Sequence, residues 1–367
     1  MGLTVYTALT VVLATALLWS TGWWRLGFAL FAIRPQRMTV KRLGLQVATA
    51  SAAQRVDTLL RSFAGGFNAM IMKRSLAACW GYCDSLPVLY RPFAEEGLAM
   101  GYTLRHLFRY DAGRFEGELV QQRPQYRYLY YVGLGFWSGM RRHSPQQLLR
   151  ITQDLDPLHR YLCYDGYGFK HAFFDFPRGR GQDGLAPLNE LDGYARNAAY
   201  QGVGRAMWFL FGGRPELLIR HIANLDEQAA DAAAGVGLAA VFVNPDQLEV
   251  ARELGRKLPK AWHGHFHLGM CFALKARSLN DLDQFERDMA SLDPDIREAA
   301  YASIRECDRV ELLVRADTES DGYGRWRDTV AAWMAENVEY PLNGLKKRAG
   351  IGACEDISAE TAQELRR

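Results

Sequence analysis

The stretch YQGVGRAMWFLF, residues 200–211, places two glycines, Gly202 and Gly204, inside an apolar run, and AAGVGLAAVFV at 233–243 repeats the arrangement. A small residue in such a run recurs along the chain at intervals of 31 to 36 residues. The markers of this recurrence are Gly66, Gly97, Gly133, Gly166, Gly202, Gly235, Gly269 and Ser303. A period of roughly 34 residues is the length of a two-helix unit, so the pattern indicates stacked helix pairs.

The segments between the markers supply a second helix and the breaks around it. ELLIRHIANLDEQ follows Arg214-Pro215, and its apolar residues have helical spacing. Asn244-Pro245-Asp246 is typical of one helix ending and the next beginning. Long β-branched runs with alternating polarity, which indicate strands, are absent from the sequence. The sequence therefore predicts an all-α fold, a TPR-like α-solenoid of about seven to eight two-helix repeats with an N-terminal transmembrane helix.

The paired glycines have a packing role in this prediction. Residues i and i+2 of a helix point about 200° apart, so a G-x-G pair thins the helix on opposite sides. We expect each marker helix to be pressed between the marker helices of the preceding and following repeats. The alternative is a phosphate-binding glycine loop, which needs a preceding strand and a third glycine; Gly166-Tyr-Gly168 instead follows a helical stretch.

The first residues of the chain predict a membrane anchor. No charged residue lies between Met1 and Arg25, and about 20 apolar residues suffice to cross a ~30 Å hydrocarbon core. A cleaved signal peptide is the competing interpretation, but a basic leading segment and a clear cleavage site are missing. Basic residues follow the apolar stretch and favour a cytoplasmic body. We expect a single-pass protein of the inner (cytoplasmic) membrane.

Four segments follow from these patterns. They are a transmembrane anchor (1–25), a basic juxtamembrane linker or helix (26–62), an α-helical repeat domain (63–343) and a C-terminal cap or tail (344–367). The repeat is irregular at 111–127 and 177–187, where loops could carry binding groups.

Composition limits the partners. The chain has 367 residues, 49% of them hydrophobic, and its 44 Lys and Arg against 41 Asp and Glu leave a net charge of +3. That balance is far from the basic excess needed to neutralise phosphates, so we expect no nucleic acid partner. Its six cysteines lack the spacing of a disulfide framework or a metal site, which favours a reducing compartment.

Ionisable residues beside the markers form the first candidate site. A buried charge must be paired or face a cavity, so these side chains could converge on one groove that binds a polar ligand or a partner, with His171 as a proton shuttle. The alternative is a set of salt bridges that hold neighbouring repeats in register. The candidate groove residues are Glu96, Asp165, Lys170, His171, Arg205 and Trp208.

Two further patterns suggest ligands. His263 and His267 lie one helical turn apart and could share a metal ion, although two ligands do not complete a site and a hydrogen-bonded helix start is the alternative. No cofactor is identified beyond this possible metal. Tyr126, Tyr128 and Tyr130 belong to an aromatic cluster that is either packed core or a groove for an apolar chain.

Several segments of the sequence resemble those of a known family. FAEEGLAMG (93–101), LDPLHRYLCYDGYGFKHAFF (155–174) and LGMCFALKAR (268–277), with the two glycine words above, are similar in order to the UnbL-like domain of unknown function that accompanies enediyne polyketide gene clusters. The resemblance implies two partners, a UnbU-like integral membrane protein and a UnbV-like β-propeller protein, and a polyene substrate. The family tends to place His directly after G-Y-G-F, whereas Lys170 precedes His171 here.

Two functions are compatible with these patterns. The first is a membrane-anchored scaffold or binding subunit of a membrane complex that acts on an apolar polyene or polyketide-type substrate. The second is an oxidative or metal-assisted tailoring enzyme subunit that uses groove residues of the repeats. Motifs of serine hydrolases, P-loop proteins and zinc proteases are absent from the sequence, so enzymatic activity stays uncertain.

Overall fold

A computed structural model describes residues 30–73, 75–106, 110–317 and 322–346. Over these residues the chain forms sixteen α-helices and one two-stranded antiparallel sheet, which confirms the all-α prediction. Short 3-10 and π-helical turns connect the helices. The α-helices are α1 (Val40–Leu43), α2 (Ala50–Met72), α3 (Leu76–Asp84), α4 (Arg91–Arg105), α5 (Ala112–Phe115), α6 (Arg127–Met140), α7 (Pro145–Thr152), α8 (Leu162–Lys170), α9 (Gly193–Phe211), α10 (Pro215–Ile222), α11 (Ala229–Val243), α12 (Leu248–Lys257), α13 (His263–Asn280), α14 (Leu282–Ala290), α15 (Pro294–Ala316) and α16 (Gly322–Asn337). The strands are β1 (Val338–Glu339) and β2 (Gly344–Leu345).

Every marker of the sequence recurrence lies inside a helix. These marker helices are α2, α4, α6, α8, α9, α11, α13 and α15. Each of them contacts the next one in chain order, from α2 against α4 to α13 against α15. Most of the remaining helices lie between two marker helices in the sequence, as the two-helix pattern predicts.

The glycine pairs explain how closely the marker helices approach. A Cβ at Gly202 would overlap the backbone oxygen of Asp165 on α8, and a Cβ at Gly204 would overlap that of Ala232 on α11. The two glycines of α9 therefore contact the preceding and the following marker helix, as expected from their opposite directions. Close backbone packing offsets the roughly 1 kcal/mol that a glycine within a helix costs.

The marker helices also curl back on themselves. Arg55 of α2 donates to both carboxylate oxygens of Asp246, at 2.5 and 2.7 Å, just beyond the end of α11. Arg277 of α13 donates to the carbonyl oxygen of Leu89, ahead of α4, at 3.1 Å. Early and late repeats thus touch across a shared interior. The TPR-like superhelix stays a prediction. The contacts between early and late repeats were not part of that prediction.

The last helix of the described residues, α16, fills part of that interior. Tyr323 of α16 stacks on Tyr161 with ring centroids 4.8 Å apart, and the indole N–H of Trp326 donates to the carbonyl oxygen of Cys307 at 3.0 Å. The chain then forms the β1–β2 pair, in which Val338 faces Leu345. This pair crosses the predicted boundary at 343, and α2 begins at Ala50, inside the predicted linker.

Among the described residues, no helix combines the length and the apolar character needed to cross a bilayer. The predicted anchor, 1–25, lies outside the described residues, as does most of the predicted tail, from 347 to 367.

Candidate functional site

A buried ion cluster forms where α4, α8 and α9 meet. Nη1 of Arg205 lies 2.7 Å from Oδ1 of Asp165, and Nη2 lies 3.5 Å from Oε1 of Glu96. Gln201 donates from Nε2 to the other oxygen of Asp165 at 2.9 Å. The guanidinium also lies 5.1 Å from the ring centre of Phe169. We call Glu96, Asp165, Gln201 and Arg205 the ion cluster; three of its members are residues that the sequence analysis selected.

Local sequence brings these side chains together. Gln201 and Arg205 lie one turn apart on α9, so both reach the same carboxylate on α8. Asp165 stands directly before the marker Gly166, and its backbone oxygen is the atom that a side chain at Gly202 would strike. The glycine contact thus sets the helix separation at which Arg205 reaches Asp165.

The guanidinium of Arg205 is the shared counter-charge of two buried carboxyl groups, Glu96 and Asp165. Burial raises the pKa of Glu96 to about 7, against the opposing effect of Arg205, and nearby Asp165 raises it further. Burial also raises the pKa of Asp165, again opposed by Arg205. Glu96 is therefore able to hold or release a proton near neutral pH.

Two members of the ion cluster, Glu96 and Arg205, line both of two apolar cavities, whereas Asp165 and Gln201 line one of them. The outer cavity, of about 240 Å³, is lined by aromatic and aliphatic side chains together with Glu96 and Arg205. The inner cavity, of about 70 Å³, is lined by Leu162, Phe272 and Trp326 among other apolar groups. The side chains that line both cavities are Phe93, Glu96, Arg205 and Phe209.

Two polar atoms of the inner cavity have no hydrogen-bond partner among the described residues. They are the hydroxyl of Tyr323 and the Oε1 atom of Gln201, both on side chains that are about 1% exposed. Buried polar groups normally have partners. A bound molecule or an ordered water could accept from the Tyr323 hydroxyl or donate to Oε1 of Gln201.

Lys170 and His171 lie at a different site from the ion cluster. Lys170 Nζ is 2.8 Å and His171 Nδ1 is 3.1 Å from the same oxygen of Asp175, beside a third cavity of about 280 Å³. Burial and then Lys170 lower the pKa of His171 to about 4, so its imidazole is neutral near pH 7. Trp208 packs edge-on against Phe209 and lines neither apolar cavity. The predicted groove residues thus lie at separate places, because Lys170 and His171 follow Asp165 by five and six residues and the helical period turns them to another face.

The two candidate metal ligands contact an aromatic ring instead. His263 stacks on Tyr340 with ring centres 3.8 Å apart and donates from Nε2 to the carbonyl oxygen of Leu258 at 2.9 Å. His267 lies edge-on to the same ring at 5.6 Å, and burial lowers its pKa to about 3. Within the described part of the chain, no group of three His, Cys, Asp or Glu side chains could hold a metal ion. The contacts of His263 fit the alternative of a hydrogen-bonded helix start.

Sequence reasoning missed a second buried polar network. His159 places Nδ1 3.2 Å from Asp156 and Nε2 3.4 Å from Glu311, and Arg315 lies 2.9 Å from Asp156. Burial raises the pKa of Glu311, but the hydrogen bond and charge of His159, with Arg127 and Arg315, lower it to about 2 overall. The i, i+3 spacing of Asp156 and His159 was a signal for half of the network; Glu311 is too distant in sequence to be inferred.

The aromatic cluster belongs mainly to the core. Tyr130 is fully buried and donates to Glu95 at 2.8 Å, whereas Tyr128 lines the inner cavity and donates to Glu311 at 3.2 Å. Burial raises the pKa of Glu95 to about 7, opposed by Arg123 at 2.7 Å. Tyr130 thus fits the packed core, Tyr128 borders a cavity, and a groove for an apolar chain stays a prediction.

Comparison with known proteins adds a family. Residues 23–334 match the family model described as Protein of unknown function (DUF1702). That description states no activity or substrate. No curated protein and no solved structure matches the chain.

Proposed function

The chain belongs to the DUF1702 family of proteins of unknown function, and we propose that it is a binding subunit that holds an apolar chain-like molecule inside its helical body. The observation that carries this proposal is the pair of apolar cavities whose linings share two members of the buried ion cluster, Glu96 and Arg205. Ligand sites are typically apolar with a few polar groups that fix orientation.

The lining indicates the class of ligand. Aromatic residues such as Phe136, Phe169 and Phe173 surround the outer cavity, and burial of each methylene group contributes about 0.8 kcal/mol. Glu96 and Arg205 offer hydrogen bonds at the boundary with the inner cavity. A hydrocarbon or polyene chain with one oxygen-containing group fits this distribution of apolar and polar surface.

The wider setting of the proposal comes from the sequence. The apolar residues before Arg25 support an anchor in the cytoplasmic membrane, and the spacing of the markers supports a TPR-like scaffold. The resemblance to the UnbL-like family supports a UnbU-like membrane protein and a UnbV-like β-propeller protein as partners, and a polyketide-type polyene as substrate. Co-purification from detergent, with the UnbU-like and UnbV-like proteins co-expressed, tests whether they are partners. Recovery of the chain without either protein would contradict this partnership.

Photolabelling tests the ligand site. A diazirine-bearing octanol is irradiated with the full chain in detergent, and the labelled peptides are mapped by mass spectrometry. We expect label on residues of the outer cavity and a marked loss in Leu60→Trp, which fills that cavity. Leu149→Trp, at a side chain that is 55% exposed on α7, is the matched control and should leave labelling unchanged. Label confined to exposed residues, or unaffected by Leu60→Trp in a folded variant, would contradict the binding function.

One observation favours an enzyme subunit as the second candidate. Glu96 has a pKa of about 7 and faces both cavities, which suits a general acid or base acting on a bound chain. Glu96→Gln keeps the shape but cannot transfer a proton. Loss of product in the native host, with octanol labelling retained, would support catalysis; unchanged product would remove Glu96 from any catalytic role.

A further inference from the structure

Exposed apolar side chains occur on three segments that contribute lining residues to the outer cavity, namely α2, α6 and residues 30–33. Met140, at the end of α6, lines this cavity and is 43% exposed, and Met72, the last residue of α2, is 46% exposed. Leu30 and Phe31 are 87% and 56% exposed. Ile33, two residues further on, also lines the cavity. We call Leu30, Phe31, Met72 and Met140 the apolar rim.

Asn68 holds the rim together. Its side chain accepts from the backbone N–H of Ile33 at 2.9 Å and donates to the carbonyl oxygen of Ile33 at 2.7 Å. Met72 follows Asn68 by one turn on the same face of α2. The segment from Leu30 to Ile33 is thereby fixed against the end of α2, beside the cavity that Met140 borders.

The charged side chains near the rim in the sequence are mostly basic. The exposed basic side chains are Arg34, Arg37, Lys73, Arg141 and Arg142. Asp57 of α2, which pairs with Arg61 at 3.6 Å, is the single acidic residue in residues 30–73 and 119–153, the segments that carry the rim and its flanks. Basic residues beside exposed apolar ones match a surface that has anionic headgroups over acyl chains.

The sequence before the rim agrees with this match. Leu30 is the first described residue, and the chain that precedes it includes an uncharged stretch from 2 to 24. A segment able to enter a bilayer therefore joins the body at the rim rather than at another face.

We propose that the apolar rim and its basic flanks dock on an anionic bilayer, so that the outer cavity faces the membrane and receives its apolar ligand from the acyl-chain region. Transfer of the ligand from the membrane rests on the proposed binding function, whereas the membrane contact is inferred from the apolar rim and its basic flanks. Salt should weaken the contact, because it screens attraction between the basic side chains and the headgroups.

Depth-dependent quenching tests the contact in the full chain. Met140→Cys carries an environment-sensitive fluorophore, and Leu312→Cys, a 70% exposed site on α15, is the matched label position. The labelled unsubstituted chain gives the background from the six native cysteines. Proteoliposomes contain nitroxide-labelled lipid, with either phosphatidylcholine alone or a mixture with phosphatidylserine.

We expect quenching at 140 to be severalfold stronger than at 312, and stronger in the anionic vesicles. The double variant Lys73→Glu with Arg141→Glu should bring quenching at 140 down to the level at 312. Arg220→Glu with Lys257→Glu, exposed positions on α10 and α12, should not. Equal quenching at 140 and 312, indifference to lipid charge, or protection of 140 that requires a second protein would overturn the proposal.

Octanol labelling of the same proteoliposomes separates the two proposals. Label in the outer cavity without quenching at 140 would leave the binding function standing and remove the docking face. Quenching at 140 without label in the cavity would remove the binding function and leave the docking face.

Discussion

Arg205 is the residue on which the ion cluster depends, because its guanidinium is shared by two carboxyl groups that are almost fully buried. Its nearer partner is Asp165, at 2.7 Å, and Gln201 takes the remaining oxygen of that carboxylate. Glu96, at 3.5 Å, is held more loosely and is the member whose protonation can change near neutral pH. The difference between Asp165, which is held closely by Arg205, and Glu96, which can change its protonation, follows from their distances to the guanidinium and not from residue type.

Removal of the guanidinium should destabilise the fold strongly. Arg205→Met keeps an apolar stem but leaves Glu96 and Asp165 without their counter-charge, and breaking a buried pair in this way costs about 3–5 kcal/mol. Urea unfolding followed by circular dichroism measures the loss. Arg256→Met, which breaks an exposed pair with Glu249, should cost less than about 1 kcal/mol. Adding Glu96→Gln and Asp165→Asn to Arg205→Met should restore part of the stability. If it does not, the unpaired carboxyl groups are not the cause of the destabilisation.

The pKa of Glu96 predicts how stability changes with pH. Because its pKa is about 7 in the fold and about 4.3 when unfolded, the folded state binds the proton more tightly. Protonated Glu96 therefore contributes its full stabilisation of the fold below about pH 4.3, and this stabilisation is lost as the pH rises through 7. We therefore expect Glu96→Gln to lose less stability than the unsubstituted chain between pH 5 and 8. Parallel pH curves for the two chains would contradict the shifted pKa; Glu95, with a similar pKa, is common to both and cancels.

At the scale of elements, the glycine pairs set the distance between neighbouring marker helices. The same contact recurs at Gly166 against Val132 and at Gly235 against Gln201, each with a backbone oxygen of the preceding marker helix. These approaches are too close for any side chain. A helix-period pattern with tiny residues on opposite sides was readable from the sequence, which is why the order of packing was predictable.

Gly204→Ala should therefore push α9 and α11 apart. The added methyl group meets the backbone of Ala232, which cannot move as a side chain could, and such overpacking costs about 3 kcal/mol. Gly264→Ala on α13 is the matched control, because nothing lies within 4 Å of its Cβ position, and it should be neutral or slightly stabilising. The melting temperatures of the two variants give the comparison; equal values would refute the packing role of the pair.

At the scale of the whole molecule, Arg277 joins early and late repeats. It is fully buried, donates to carbonyl oxygens of Leu89 and Phe242, and lies over the ring of Phe242 at 4.1 Å. Burial lowers its pKa to about 9, opposed by Asp288 and Asp246, so it stays charged at neutral pH. The closure of the curl thus includes a buried cation held by backbone carbonyls.

Arg277→Met should loosen both sides of the closure at once. We expect faster amide hydrogen exchange at the start of α4 and at the end of α11, because both lose their shared donor. Arg287→Met on α14, where the guanidinium bonds Gln284 of the same helix, should leave exchange at these sites unchanged. Faster exchange at only one of the two sites would show that Arg277 does not couple them.

The sequence by itself determined the helical class, the order of the marker helices and the pairing of Asp165 with Arg205 one repeat later, because these depend on local periodicity and on neighbouring repeats. Glu96 lies two marker helices before Asp165, so its approach to Arg205 was decided by tertiary structure. Lys170 and His171 follow Asp165 by five and six residues, so the helical period turns them away from the ion cluster, and Trp208 of α9 packs against Phe209 instead. Tertiary structure alone decided the insertion of Tyr323 and Trp326 into the interior, the pairing of His159 with Glu311 and the curl that encloses the cavities. Each of these joins residues far apart in the chain, and their contacts depend on the sum of small rotations between successive helices, which no local pattern encodes.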